Sequence, residues 1–188
     1  MMSKQSKIVS KLQAALDAPS IYRISRKSKM MDRIDGFVVG LSKSWVLVAR
    51  EIEGGYSDGF VALRVRDITN VDDDPSFATR FALTQPPRDA ARVAAVELTD
   101  VKSLIASAAE LSPVVAVELE KVAPGALWIG RYEGRRRKRF RLLLVNFDAS
   151  WDNYPTTYHF KDVTTVAIDS RYHAALLSIA GGGPGGAG

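Results

Sequence analysis

The strongest constraint on this chain is that it nearly repeats itself. Asp67-Ile68-Thr69-Asn70-Val71 lines up with Asp162-Val163-Thr164-Thr165-Val166 at an offset of 162 − 67 = 95 residues. The same offset places Trp45 on Phe140, Leu47 on Leu142, Asp58 on Asn153, Leu63 on Tyr158 and Val65 on Phe160, then Asp74 on Asp169, Phe77 on Tyr172 and Phe81 on Leu176. A recurrence of this length means that each copy is a whole supersecondary unit. In 188 residues there is room for two units of roughly 80 to 90 residues, near the lower limit for independent folding, so the halves are expected to bury surface against each other. Towards the start of each unit the best match shifts to an offset of 90, pairing Gly40 with Gly130. That shift places five extra residues in the second copy, within Tyr132 to Arg139.

Both copies read as a helix followed by short strands. Ile8, Leu12 and Leu16 recur every fourth residue between Lys4 and Leu16, ahead of Pro19; the counterpart is Asp100 to Leu111, closed before Pro113, with Asp100 suited to cap its first turn. Strands are expected at Ser20 to Arg26, Gly36 to Leu41, Trp45 to Ile52 and Gly59 to Arg66, and in the second copy at Val114 to Glu120, Ala126 to Tyr132, Phe140 to Phe147, Thr156 to Lys161 and Val163 to Ile168. Val61, Leu63 and Val65 alternate with polar or small neighbours, the period of a strand with one buried face. Trp45, Leu47, Leu63, Val65, Phe140, Leu142, Tyr158 and Phe160 are therefore expected in the core, each set on one face of paired strands. Phe77 to Leu83 and Tyr172 to Leu177 fit strand or helix equally.

A helix, a strand, a tight turn, further short strands and an Asp-Ile-Thr-x-Val segment together resemble a small barrel of the Sm-like or SH3-like kind, and loosely the core of the WYL domain. The resemblance implies an α+β, mainly β fold: two tandem small antiparallel β-barrel-like units, each preceded by a helix. It does not extend to motifs. The nearest match to the WYL tripeptide is Trp45-Val46-Leu47, and the Asp-x-x-x-Asn loop and later Arg-Gly pair of Sm RNA binding have no counterpart. The chain divides into a first unit over 1–84, a linker over 85–99 whose part from Ala90 to Val96 can extend a helix, a second unit over 100–180, and a glycine-rich tail over 181–188 expected to stay flexible.

Composition narrows the function classes. There is no cysteine, so disulfides, thiolate metal sites and cysteine nucleophiles are out. No apolar run reaches the roughly 18 to 20 residues of a membrane span, and 1–11 lacks the apolar stretch of a secretion signal, so a cytoplasmic location is expected. The two histidines, His159 and His173, lie apart and are expected to be structural or superficial, with His159 on the wet face of its strand. Asp72-Asp73-Asp74-Pro75 suits a turn whose carboxylates accept backbone amides better than a cation site. Asp67 and Asp162 are expected to fix turns by capping. No phosphate-binding glycine loop occurs, and neither cofactor, metal nor catalytic residue is assigned.

One stretch departs from the background: Gly134-Arg135-Arg136-Arg137-Lys138-Arg139-Phe140-Arg141, with Arg135, Arg136, Arg137, Lys138, Arg139 and Arg141 in the turn between two strands. Arg23, Arg26, Lys27, Lys29 and Arg33 add charge around the first strand. Such a projecting turn can follow a phosphate backbone, meet an acidic protein or anionic lipid, or simply stay solvated and guard a strand edge. No aromatic residues interleave with it for base stacking. Net charge is +5, from 26 basic and 21 acidic residues. The function expected is a non-catalytic binding module with a protein partner, interacting or regulatory; the alternative is sequence-nonspecific nucleic-acid binding through Arg135 to Arg141.

Overall fold

The computed structural model describes residues 3–27, 33–86 and 88–185; Lys29, Pro87 of the linker and the last three residues of the tail lie outside them. The fold is α+β and mainly β. Ten strands form one antiparallel sheet: β1 (Tyr22–Arg26), β2 (Arg33–Leu41), β3 (Trp45–Ile52), β4 (Tyr56–Arg64), β5 (Ile68–Asp73), β6 (Val115–Glu118), β7 (Leu127–Arg136), β8 (Arg139–Leu144), β9 (Thr156–His159) and β10 (Thr165–Ile168). Helices α1 (Lys4–Asp17), α2 (Ala78–Ala82), α3 (Ala90–Ala95), α4 (Val101–Leu111) and α5 (Arg171–Ala180) flank it. Among the described residues no helix is long and apolar enough to cross a membrane.

Strand order across the sheet is β5-β1-β2-β3-β4-β10-β6-β7-β8-β9. Each half thus follows the same succession, its last strand beside its first, and the halves join where β4 pairs with β10. A 3₁₀ turn separates the fourth and fifth strands in both, Val65–Asp67 and Phe160–Asp162, so Asp67 and Asp162 hold equivalent places. The sheet does not close: β5 and β9 are its free ends. Instead of two separate closed barrels, the chain builds a single continuous sheet.

Helices begin where side chains satisfy orphan amides. Asp100 accepts from the N–H groups of Lys102 and Ser103 at 2.7 and 3.0 Å, and Ser3 accepts from Ser6 at 3.1 Å. The two ambiguous segments are helical, as α2 and α5, because Phe77 and Tyr172 are exposed while Ala78, Ala82 and Leu176 pack inward. In the first half the segment after Asp67 is a strand, β5, although its Asn70, Asp72 and Asp73 have little intrinsic preference for one; pairing along β1 supplies what these side chains do not.

The expected core residues are all buried, but not all on one face. Val46 faces Leu63 and Val48 faces Val61 across the β3–β4 ladder, and these four pack with Ile8, Leu12 and Ile24 in the core of the first half. Trp45, Leu47 and Ala62 point the other way, into a core shared with Leu104, Ile105, Val117 and Phe140 of the second half. Strand β3 is buried on both faces because the second half covers its outer one.

The glycine pairing is also different from that expected. Gly36 lies opposite Arg50, and Gly130 lies opposite Leu144, an offset of 94 in both strands (130 − 36 and 144 − 50). At each glycine an added Cβ would meet a backbone carbonyl across the ladder, Ala49 O or Leu143 O. A one-residue bulge then follows in both, after Val38 and after Tyr132. Gly36-Phe-Val-Val-Gly40 therefore corresponds to Gly130-Arg-Tyr-Glu-Gly134, and the second copy carries no five-residue insertion. Elsewhere the offset is 115 − 22 = 93 on the first strand and 158 − 63 = 95 on the fourth, from the partners Tyr22–Gly36, Val115–Gly130, Val46–Leu63 and Phe140–Tyr158.

The tail is not featureless. Arg131 donates to the carbonyls of Gly182 and Pro184 at 3.1 and 2.6 Å, and Gly183, at φ +75°, lies where a Cβ would strike the Trp151 ring. Glycine here allows the chain to lie flat on an indole.

Candidate functional site

The basic run occupies the end of β7, a turn at Arg137-Lys138 and the start of β8. Arg137 takes the left-handed conformation, φ 53°, as a two-residue hairpin turn demands. This hairpin does not project as a finger. Strand β9 runs beside β8 along Arg139 to Leu142, and Phe160 N–H donates to Lys138 O at 3.1 Å, so the turn is seated against the sheet.

Alternation along β8 then separates core from surface. Phe140 and Leu142 are wholly buried, their rings and branches packed with Tyr158 and Phe160. Burial pushes the Tyr158 hydroxyl up to about 12, with Asp152 adding to it. The opposite face carries two cross-strand pairs, Arg139 with His159 and Arg141 with Thr157, joined by the exposed Arg135, Arg136, Arg137 and Lys138 into one basic concavity. Arg141 Nη2 donates to Glu133 O at 2.8 Å, which fixes the direction of that guanidinium. Arg135 also reaches Asp100 electrostatically: the Ser103 N–H is the main influence holding that carboxyl below the ordinary range, and Arg135 adds to it.

What distinguishes this face is uncompensated charge. Arg23 is matched with Asp74 at 2.7 Å, Arg26 with Glu120 at 2.7 Å, Arg50 with Asp58 at 3.3 Å and Arg92 with Asp169 at 2.5 Å. Among the described residues, none of the six hairpin cations has a carboxylate at ion-pair distance. The other basic residues picked out by sequence are dispersed. Arg26 is buried between Glu118 and Glu120, Lys27 pairs with Asp67, and Arg33 pairs with Asp35.

The remaining candidates are structural. Asp72 pairs with Lys11 at 3.3 Å and Asp73 accepts from Ser20. Desolvation raises the Asp74 carboxyl, but the Ser76 N–H and hydroxyl, with Arg23, bring it below the ordinary value. Among the described residues no backbone amide is capped by Asp67, contrary to what the sequence leads one to expect; it is buried against the Arg64 guanidinium at 2.5 Å, and this ion pair closes its 3₁₀ turn. His173 is buried, and desolvation lowers its imidazole despite Asp58 and Asp169. Among the described residues no three metal-ligating side chains converge.

Sequence reasoning placed Trp45 on Phe140, whereas the ladders place it on Arg139. Trp45 faces Arg64 and Leu47 faces Ala62; one half later the same places hold Arg139 facing His159 and Arg141 facing Thr157. Thr157 had no signal of its own. The paired glycines Gly36/Gly130 and Gly40/Gly134 would have revealed the correspondence.

The chain matches no family model, no curated protein and no solved structure. Its function must be argued from this face.

Proposed function

We propose that the chain is a non-catalytic binding module made of two tandem β-rich units whose strand succession is of the Sm-like kind, opened into one sheet, and that it receives a protein partner with an acidic surface on the Arg139–His159 and Arg141–Thr157 face. The repeated strand order, the paired glycines and the two 3₁₀ turns support the duplication. The observation that carries the binding reading is one of equivalence. Trp45, Leu47 and Ala62, on the outer face of β3 and β4, are where the first half holds the second. The second half presents the same place uncovered, with arginines where the first has Trp and Leu. A docking face of that kind, recharged and left open, is suited to an anionic protein surface.

A second reading is sequence-nonspecific nucleic-acid binding, favoured by six cations without counter-charges. Phe140 is wholly buried and Tyr132 half-buried, so bases would find no stacking platform there. A pull-down on the full chain, with and without nuclease, separates the two, using the Arg139→Glu/Arg141→Glu variant as control. Acidic proteins retained after nuclease and lost with the variant are the expected result. Retention of nucleic acid alone, falling with salt at a slope of about −0.9 per phosphate on duplex DNA, would replace the first reading by the second.

A further inference from the structure

Resting on the reading of this face as a protein-docking surface, we infer that the partner binds by strand addition: an extended acidic segment pairs antiparallel with β9 as an eleventh strand, its carboxylates at alternate positions over Arg139 and Arg141.

The chain already performs this operation once. Strand β4 ends the first half as β9 ends the second, and β4 accepts β10 antiparallel, with Leu63 opposite Thr165, Ala62 opposite Val166 and Val61 opposite Ala167. The incoming strand brings apolar groups over Trp45 and Leu47. Carried to the second half, the same register sets the added strand opposite Thr156, Thr157 and Tyr158, beside Arg139 and Arg141. A strand arriving there must carry the opposite charge on the side chains that face these two, every second residue.

The two ends of the sheet are finished differently. Edge β5 exposes Asn70, Asp72 and Asp73, and the two aspartates bring the charge that blunts an edge against pairing. Edge β9 reads Thr156-Thr157-Tyr158-His159, two β-branched residues and an aromatic with no lysine, proline or bulge within it. Among the described residues no strand lies beside its outward N–H and C=O groups. Edge β9 is therefore the one built to accept a strand. A second copy of this chain is a poor occupant. Its β5 comes with α1, whose Lys11 lies over that strand, bonded to Val71 O at 2.9 Å and Asp72 at 3.3 Å. Lys4 and Lys7 lie on the same helix. Docking it would set lysines against Arg139 and Arg141.

The test uses synthetic peptides of about eight residues, the length of an ordinary strand, on the full-length protein. One alternates Glu and Val; a second has the same composition in two-residue blocks, Glu-Glu-Val-Val repeated, so that no two Glu are neighbours on one face of a strand; a third is the alternating peptide N-methylated at every second amide, in both phases. Affinities come from fluorescence anisotropy, and amide exchange at Thr156 to His159 is followed in parallel. The alternating peptide should bind about tenfold or more tighter than the block peptide, because only alternation sets carboxylates over both Arg139 and Arg141 from one face of a paired strand. One N-methylation phase should abolish that advantage, and binding should slow exchange in β9. Thr157→Pro should remove it as well, and the N-methylated peptides keep the test decisive where that variant folds poorly. Equal affinity for alternating and block peptides, lost with Arg139→Glu/Arg141→Glu, would overturn strand addition and leave the acidic-partner reading standing. Binding of oligo(dT) with no peptide binding would overturn both, and concentration-dependent association of the chain with itself, without peptide binding, would assign the edge to a second copy.

Discussion

The Arg26 guanidinium donates through Nη1 and Nη2 to the two carboxylate oxygens of Glu120, at 2.8 and 2.7 Å, across 94 residues of sequence. The Arg26 side chain is fully enclosed and Glu120 nearly so, and Glu118 lies 3.8 Å away, itself accepting from the Thr165 hydroxyl at 2.7 Å. The first strand of one half is thus tied to the last residue of β6, the first strand of the other, and to the turn just after it. Such a pair gains Coulomb energy in a low dielectric but has already lost its hydration, so breaking it is costlier than replacing it. Arg26→Ala should destabilise the fold by about 3–5 kcal/mol. Arg26→Met combined with Glu120→Leu should lose clearly less, both read from denaturant midpoints.

Gly36→Ala and Gly130→Ala should each cost about 1–3 kcal/mol, since the new methyl meets a ladder carbonyl that cannot turn aside. Gly40→Ala meets no backbone atom, only the end of the Leu98 side chain at 3.0 Å and Leu47 Cβ at 3.4 Å, and should cost less than either. Thermal denaturation of the three variants checks the correspondence of Gly36, not Gly40, with Gly130.

Leu63 and Leu142 are both fully enclosed, in different cores. Each change to Ala should cost about 2–5 kcal/mol. Replacing Arg135, Arg136 and Arg137 together by Ala should change stability by only about 0.5 kcal/mol per site, since all three are exposed. Urea titrations of the three proteins provide the comparison.

Stability should depend on pH through His173. Burial lowers its folded-state pKa below the ordinary 6.5, with Asp58 and Asp169 opposing and Arg50 reinforcing. Below that ordinary value the unfolded chain binds a proton that the folded chain refuses. Stability should therefore be full above about pH 7 and fall as the pH drops below 6.5, by at most about 1.4 kcal/mol per pH unit. His173→Gln should flatten urea midpoints between about pH 7.5 and 5.5; an unchanged slope would assign the dependence to other groups.

The elements were legible because their signals are local. Alternation in Val61, Leu63 and Val65, prolines after both helices and Asp100 as a cap each report on a few adjacent residues. What was not legible depends on neighbours far along the chain. Single-residue differences between the halves move the offset from 93 to 95, and a match by letters paired Gly40 with Gly130. Only the approach of Ala49 O and Leu143 O shows that Gly36 and Gly130 correspond. Likewise nothing in Trp45 or Leu47 announces that a second half covers them, so two-sided burial of β3 read as one-sided. The basic face was visible as a charge run, but its partners Thr157 and His159 come from a strand about twenty residues later in the chain, brought alongside by pairing.

Strand β10 is the last of the ten described strands to be made, yet it lies in the middle of the sheet, between β4 and β6. During synthesis the edge Phe60 to Leu63 must wait, unpaired, until Thr165 to Ile168 leave the ribosome. About a hundred residues of chain are translated in that interval, several seconds or more at cellular rates. Any truncation before Thr165 leaves two apolar strand edges facing each other across a gap. Such fragments should be substrates for chaperones and proteases, which makes β10 a checkpoint on whether both halves have been made.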